Sequence, residues 1–462
     1  MTLLTTISGI RGTIGGIPGK GLSPLDITKF TTAFADFIRL KSGKDRIKVA
    51  IGRDARRSGE MVNQLVSGTL IAMGAEVIDL GLSTTPTVEV AVTGLKADAG
   101  IILTASHNPE QWNALKLLNE KGEFISEADG KWILDRVESG IFDYADIDHI
   151  GSYHKDYSWI DRHVQMVLDL PLVEKDLIEK AGIRIVIDAV NSSGGIAIPN
   201  LLRALGVKEV IELYCTPDGH FPHNPEPLPE HLKDLSKTVL KNKADIGFVV
   251  DPDVDRLAIV DEFGEMFGEE YTLVAVADYI LQHTKGTTVS NLSSSRALRD
   301  ITEKHGCEYY ASAVGEVNVV ELMKEKNAII GGEGNGGIIY PELHYGRDAL
   351  VGIALFLSYM AKSKLSCSDL RKTLPDYKMI KQKITLDDKS KIEKLLKNIA
   401  KAGLPGKVNT IDGVKFDFDN GWVHLRQSNT EPIIRIYAEG PDTDTAKRYV
   451  EMISSLVNQL ID

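Results

Sequence analysis

Three stretches of this chain run alike, and their likeness limits its possible folds more than any other feature. IKVAIGRDARRSGEMVNQLVSGTLIAMGAEVIDLG begins at Ile47, IRIVIDAVNSSGGIAIPNLLRALGVKEVIELY at Ile183, and TTVSNLSSSRALRDITEKHGCEYYASAVG at Thr287. Each has a short β-rich run, a polar or glycine-containing loop, a helical stretch, a glycine (Gly74, Gly206 or Gly306) and another strand. A strand–helix–strand unit that recurs three times predicts three related α/β domains. Their sheets should be mixed but mainly parallel and helix-covered, with functional loops at the carboxyl ends of strands.

The last part of the chain differs. KSKIEKLLKNIAKA has the spacing of an amphipathic helix, GVKFDFDNGWVHLRQSNTEPIIRIYAEG reads as strands, and DTAKRYVEMISSLVNQL as a final helix. Asn420-Gly421 is a hairpin signal. The pattern is that of a smaller α+β domain with an antiparallel sheet. At 462 residues the chain exceeds what one core organises, and the expected domains are 1–150, 151–256, 257–370 and 371–462. The proline-rich PHNPEPLPEH, Pro222 to His231, is too short for a disordered linker and reads as an ordered loop.

A net charge of −12 argues against nucleic acid or an acidic membrane as the main partner, though not against a small anion bound in a locally basic cleft. No apolar run approaches the roughly 20 residues that span a bilayer, and the first residues lack the pattern of a signal peptide. Cys215, Cys307 and Cys367 are too few and too scattered for a disulfide framework or a cysteine metal site. A reducing cytoplasm is the expected compartment.

In ADIGFVVDPDVDRLAIVDEFG an apolar strand ends at Val250 and aspartates follow at 251, 253 and 255. At alternate positions their carboxylates can point to one side. At ~4 Å and an effective dielectric of ~20 each like-charge pair costs about 4 kcal/mol. A hard divalent cation removes that cost, and an oxygen-only ligand set suits magnesium; the plainer alternative is an acidic turn. TASHNP puts Ser106 beside His107 after the apolar GIIL, with Lys116 ten positions beyond the serine. Sequence neighbours make an awkward Ser-His pair, and GxSxG is absent. A phosphoryl group carried on Ser106 fits better, because its oxygens would complete a metal shell begun by the aspartates, with Lys116 neutralising charge or moving a proton. GGEGNGG, Gly331 to Gly337, lets a ligand approach the backbone and offers Glu333 and Asn335 to hydroxyls. RQSNTEPIIR groups Arg426 and Arg435 around Ser428, Asn429 and Thr430, a set able to cradle phosphate. Each of these two loops, taken alone, is equally well read as a structural turn.

Together the four segments, in this order, resemble the α-D-phosphohexomutase superfamily, and the match extends to SGIRG near the amino terminus. The resemblance implies four domains arranged as a heart around a central cleft, each supplying one loop. It implies a phosphorylated Ser106, magnesium on Asp251, Asp253, Asp255 and the phosphate on Ser106, and proton transfer or charge stabilisation by Lys116, His107 and Arg11. Substrate contacts would come from Arg256, Glu333 and Asn335, and from Arg426, Ser428, Asn429, Thr430 and Arg435 at the non-reacting phosphate. The implied reaction interconverts hexose 6-phosphate and hexose 1-phosphate through a hexose 1,6-bisphosphate that turns end for end. Glucosamine phosphate, a precursor of amino-sugar nucleotides and cell walls, is the preferred sugar by overall similarity; glucose or mannose phosphate is the alternative. A metal-dependent sugar phosphatase and a non-catalytic phosphosugar-binding protein are the rivals from other classes. The partner is a small phosphosugar, and monomer and homodimer both remain open. Many members have histidine at Gly337, Ser or Thr at Asn335, and a lysine near Ser293. Arg347 and Asp348 in HYGRDAL could supply missing contacts, or form only a loop and a helix start.

Overall fold

A computed structural model of the chain describes residues 2–6, 9–385, 390–427 and 433–461. It divides into two compact units, Met1–Thr272 with Gly336–Leu370, and Leu273–Asn335 with Arg371–Asp462.

The first unit holds two sheets. Strands β1 (Leu3–Thr6), β2 (Gly9–Thr13), β3 (Lys48–Arg53), β4 (Glu76–Leu82), β5 (Ala99–Leu103), β6 (Trp112–Leu118) and β7 (Ser152–Lys155) align in the order β1-β2-β6-β5-β3-β4-β7. Those from β5 to β7 pair parallel and the rest antiparallel. The helix Pro24–Ser42 starts with a capping box, Ser23 and Asp26 exchanging bonds, and ends at left-handed Gly43. Its Ile27 and Phe34, with Val62 and Val66 of the helix Gly59–Ala72, pack on Val49, Ile51, Ile101 and Leu103. The second sheet comprises β8 (Arg184–Asp188), β9 (Glu209–Leu213), β10 (Ile246–Val250) and β11 (Leu257–Asp261), ordered β11-β10-β8-β9, with only the β10–β11 pair antiparallel.

In the second unit β12 (Thr288–Asn291), β13 (Tyr309–Ser312) and β14 (Ile330–Glu333) pair parallel around a central β12. Strand β15 (Gly337–Ile339) belongs to the first unit. A fully antiparallel sheet follows, β16 (Lys378–Thr385), β17 (Lys407–Asn409), β18 (Val414–Phe418), β19 (Gly421–Gln427) and β20 (Ile433–Gly440), ordered β16-β20-β19-β18-β17. Ile392 and Ile399 of one helix and Val450 and Ile453 of another cover Phe416, Val423, Ile434 and Ile436.

The recurring unit is real: β3/β4, β8/β9 and β12/β13 are each a parallel pair joined through a helix. Gly74, Gly206 and Gly306 follow the three helices at φ of 78°, 83° and 71°, left-handed backbone that a Cβ disfavours. Strand β7 pairs with β4, β11 pairs with β10 across position 256, and residues 257–370 are divided between the two units. The hairpin before β19 closes through Asp419 and Asn420, with Phe418 paired to Gly421. Gly421 is needed in the strand itself, where a Cβ would meet Glu439 O at 2.2 Å. PHNPEPLPEH is an ordered loop ending in a 3-10 turn, Pro229–His231. No helix among the described residues is long and apolar enough to cross a membrane.

Candidate active site

Strand β5 is buried throughout and opens into Thr104–Ala105–Ser106. Ser106 has φ 49°, left-handed backbone that costs an L-residue roughly 1–2 kcal/mol. The loop is held in that shape by Arg56, whose side chain is fully buried. Its Nη2 donates to the carbonyls of Ser106 (2.5 Å) and Asn108 (2.6 Å), and its Nη1 to those of Pro109 (2.6 Å) and Trp112 (3.0 Å). Asp54 accepts from Arg56 Nε at 3.0 Å and from Thr104 Oγ1 at 2.6 Å, and Thr104 Oγ1 accepts from Ser106 N at 2.9 Å. One planar guanidinium thus satisfies four carbonyls that a buried loop could not leave unpaired.

The loop presents Ser106 to the metal-loop candidate. Ser106 Oγ donates to Asp251 Oδ2 at 2.7 Å, while His107 Nδ1 is 3.4 Å away, so the serine faces the carboxylate and not its neighbour's ring. Asp251, Asp253 and Asp255 are all buried, and one carboxylate oxygen from each lies within 4.8 Å of the others. Their remaining oxygens are allotted with care. Asp251 Oδ1 accepts from the backbone N–H groups of Asp255 (3.2 Å) and Arg256 (3.1 Å). Asp253 Oδ2 accepts from Thr85 Oγ1 (2.5 Å) and Lys116 Nζ (2.7 Å), and Asp255 Oδ2 from Lys116 Nζ (3.2 Å) and Arg347 Nη2 (2.7 Å). Oδ1 of Asp253 and Oδ1 of Asp255 are buried with no hydrogen-bond partner. Bare buried carboxylate oxygens are costly, and an all-oxygen set of this kind fits a hard dication. This acidic triad could hold a metal ion.

The electrostatics agree. Burial, then the charges of Asp255 and Asp253, push Asp251 well above the usual carboxylate range, while at Asp255 burial is outweighed by Arg347 and Lys116, which hold it below that range. Burial opposes the charge of Lys116, but Asp253 and Asp255 outweigh it and hold the ammonium protonated above its ordinary range. Burial and then the positive charge of Arg256 keep His107 well below its ordinary value, neutral at pH 7. Arg11 lies on β2, and burial with the nearby Arg256 lowers its pKa. Arg256 Nη1 is 3.8 Å from Glu226. The first unit therefore gathers Arg11, Ser106, His107, Lys116, the three aspartates and Arg256.

Within the second unit, Glu333 is buried and its Oε1 accepts from Asn291 Nδ2 (3.0 Å) and Gly315 N (3.3 Å). Asn335 is partly buried at the end of the same loop. Arg426 and Arg435 are cross-strand partners on β19 and β20; Arg426 Nε donates to Asp412 Oδ2 at 3.2 Å, and Arg435 Nη1 lies 3.4 Å from Tyr437 OH. Ser428, Asn429 and Thr430 fall outside the described residues. Ser293 Oγ lies 2.9 Å from His424 Nδ1.

Sequence reasoning missed Arg56 and Thr85. Arg56 sits in the arginine-rich RDARR with no spacing that distinguishes it from a solvated residue, and the carbonyls it bonds lie 50 to 56 positions away. Thr85 is the last of three consecutive Ser/Thr residues, and its alignment with Asp253 is a tertiary fact.

Helix-covered sheets carrying a serine and a triaspartate cluster at strand ends define a multidomain α/β enzyme. Residues 3–143, 161–264 and 268–377 match alpha/beta/alpha domains I, II and III of phosphoglucomutase/phosphomannomutase, and 381–456 match its C-terminal domain. A phosphoglucomutase/phosphomannomutase of Thermococcus kodakarensis is 35% identical over 456 residues, 97% of this chain and 98% of that protein. A probable phosphoglucosamine mutase of Methanopyrus kandleri is 32% identical over 98% of each chain. The crystal structure of a phosphoglucomutase/phosphomannomutase family protein from Burkholderia thailandensis, 26% identical, superposes with a TM-score of 0.85 over 99% of this chain and 98% of that one. The chain belongs to the phosphoglucomutase/phosphomannomutase family and is a phosphohexomutase, an isomerase acting on small phosphosugars.

Proposed function

We propose that this phosphohexomutase interconverts glucosamine 6-phosphate and glucosamine 1-phosphate in the cytoplasm, through a phosphorylated Ser106 and a bisphosphorylated sugar. The observation that carries the phosphoserine reading is Ser106 Oγ directed at Asp251 at 2.7 Å beside two bare carboxylate oxygens. The sugar preference rests on relatives such as those of Methanopyrus kandleri and Methanosarcina barkeri, both named probable phosphoglucosamine mutase.

In this reading Asp251, Asp253 and Asp255 hold magnesium, which would supply charge stabilisation to the transferring phosphoryl group. The chain's own residues do the rest. The bond from Ser106 Oγ to phosphorus breaks as the sugar hydroxyl oxygen bonds to phosphorus; the hydroxyl proton passes to a base, and a proton is returned to Ser106 Oγ, which leaves as the free hydroxyl. His107 and Lys116 are the groups proposed to accept the sugar hydroxyl proton, and Lys116, bonded to Asp253 and Asp255, also neutralises charge. Arg11 and Arg256 place positive charge beside the phosphoryl oxygens. Glu333 and Asn335 hold sugar hydroxyls, and Arg426 and Arg435, with Ser428, Asn429 and Thr430, hold the distal phosphate. That clamp must accept either phosphate, since the bisphosphate turns over before returning its other phosphoryl group to Ser106.

The test is kcat/KM for glucosamine 6-phosphate, glucose 6-phosphate and mannose 6-phosphate on magnesium-loaded, phosphorylated protein, with products followed by phosphorus NMR. Glucosamine 6-phosphate should be fastest and the bisphosphate should prime turnover. A faster glucose or mannose substrate overturns the sugar assignment, in line with the Thermococcus relative; stoichiometric inorganic phosphate release overturns the mutase reading for a phosphatase.

A further inference from the structure

Next to the triad lies a buried array of titratable side chains that the reaction above does not use. His163, on the helix Trp159–Leu168, has Nε2 2.8 Å from Asp348 Oδ2 and Nδ1 3.0 Å from Thr87 Oγ1. His344 brings Nε2 to the same Asp348 oxygen at 3.2 Å, and its Nδ1 lies 3.2 Å from Glu89 Oε2. The other oxygen of Asp348 caps the helix Ala349–Ser363, accepting from Leu350 N at 2.8 Å. Gly346 is pressed against the array, for a Cβ there would fall 1.9 Å from Glu89 Oε2.

Between these anchors stands Arg347. The backbone on its carboxyl side is pinned by Asp348 N to Ile338 O (2.8 Å) and Ala349 N to Val254 O (3.2 Å). Its guanidinium, 9% exposed, donates to Asp255 Oδ2 at 2.7 Å. With Lys116 on the same oxygen, Asp255 is left with Oδ1 as its bare atom.

We propose that Arg347 is a positioning residue that decides which oxygen of Asp255 faces a divalent cation, and that Glu89, His163, His344 and Asp348 hold it in register. This rests on the triad being a cation site. Orientation and simple charge predict opposite signs. A guanidinium acting only as a charge repels a dication, so its removal tightens binding; one that orients a ligand weakens binding when removed, by about 10–100-fold for a partner of this kind.

The experiment titrates the full-length protein with Mn2+ and counts the free ion by electron paramagnetic resonance. Wild type and Asp253→Asn define binding at the triad. Arg347→Met should raise the Mn2+ dissociation constant about 10–100-fold, and His344→Gln, which touches no aspartate of the triad, should raise it by a smaller factor. Equal or tighter binding by Arg347→Met overturns the positioning role alone; Mn2+ binding indifferent to Asp253→Asn overturns the cation site and this proposal with it. Should Arg347→Met fail to fold, Arg347→Lys carries the test. It retains the charge and loses the planar fork, so unchanged affinity in that variant also overturns the proposal.

Discussion

Two clusters of buried charge in this molecule are built to opposite rules. Around Asp251, Asp253 and Asp255, two carboxylate oxygens are left without partners although cations stand within reach of their sister oxygens. Around Lys415 and Glu439, in the second unit, the protein supplies the partners itself. Lys415 Nζ donates to Leu292 O at 2.7 Å and sits 4.0 Å over the Trp422 ring, and Glu439 Oε1 accepts from Trp422 Nε1 (2.8 Å) and Arg296 N (3.0 Å). A cluster that spends its hydrogen bonds on itself serves packing and register. An acidic cluster that keeps oxygens bare, in a setting where unpaired acceptors are expensive, could hold a metal ion.

The sharpest break is Ser106→Ala. It removes one hydroxyl and leaves the aspartates, so thermal stability should change little while mutase turnover falls to background in a phosphorus NMR assay. Measurable turnover would end the phosphoserine reading and with it the functional half of the contrast. Arg56→Lys comes next, because an ammonium cannot reach four carbonyls. A loop displaced by about 1 Å should cost on the order of 10²-fold in kcat, and loss of the Nε–H bond to buried Asp54 should lower the melting temperature. A variant that lost stability but kept kcat would move Arg56 to the structural side of the comparison.

The smallest effect belongs to Lys415. Burial lowers its pKa from an ordinary 10.5 to about 8. Below pH 8 it is charged in both folded and unfolded chains, and the folded protein bears the full cost, on the order of 3 kcal/mol at most. Between about pH 8 and 10.5 the folded chain releases its proton first, so this contribution to stability improves as pH rises. Lys415→Met should therefore melt a few degrees above wild type at pH 7, with the gap closing toward pH 10.5 and turnover near wild type. A gap independent of pH would show that the lysine's lost bonds, not its charge, set the difference.

Ser106, Lys116 and the three aspartates were legible because their spacing is local: an apolar strand, a polar turn and alternation within a few positions. The repeated strand–helix–strand units were legible for the same reason, down to the left-handed glycine that ends each helix. Sheet membership was less so. Whether β7 and β11 join the sheet before them is settled by pairing with strands distant in sequence or across a turn, not by composition. The hairpin signal at Asn420-Gly421 found the turn but misplaced it by one residue, since close approach to Glu439 puts the glycine in the strand.

The chain's own order of residues therefore determined its α/β architecture, its antiparallel final sheet and the residues proposed to carry phosphate and a cation. Only the tertiary structure decided which oxygens of Asp253 and Asp255 are left bare, that Arg56 grips the serine loop, and that Arg347 reaches Asp255. Hydrophobic periodicity acts over a few residues and survives in any local window. The direction of a buried hydrogen bond depends on groups brought together from fifty or more positions apart, and no local window contains both ends.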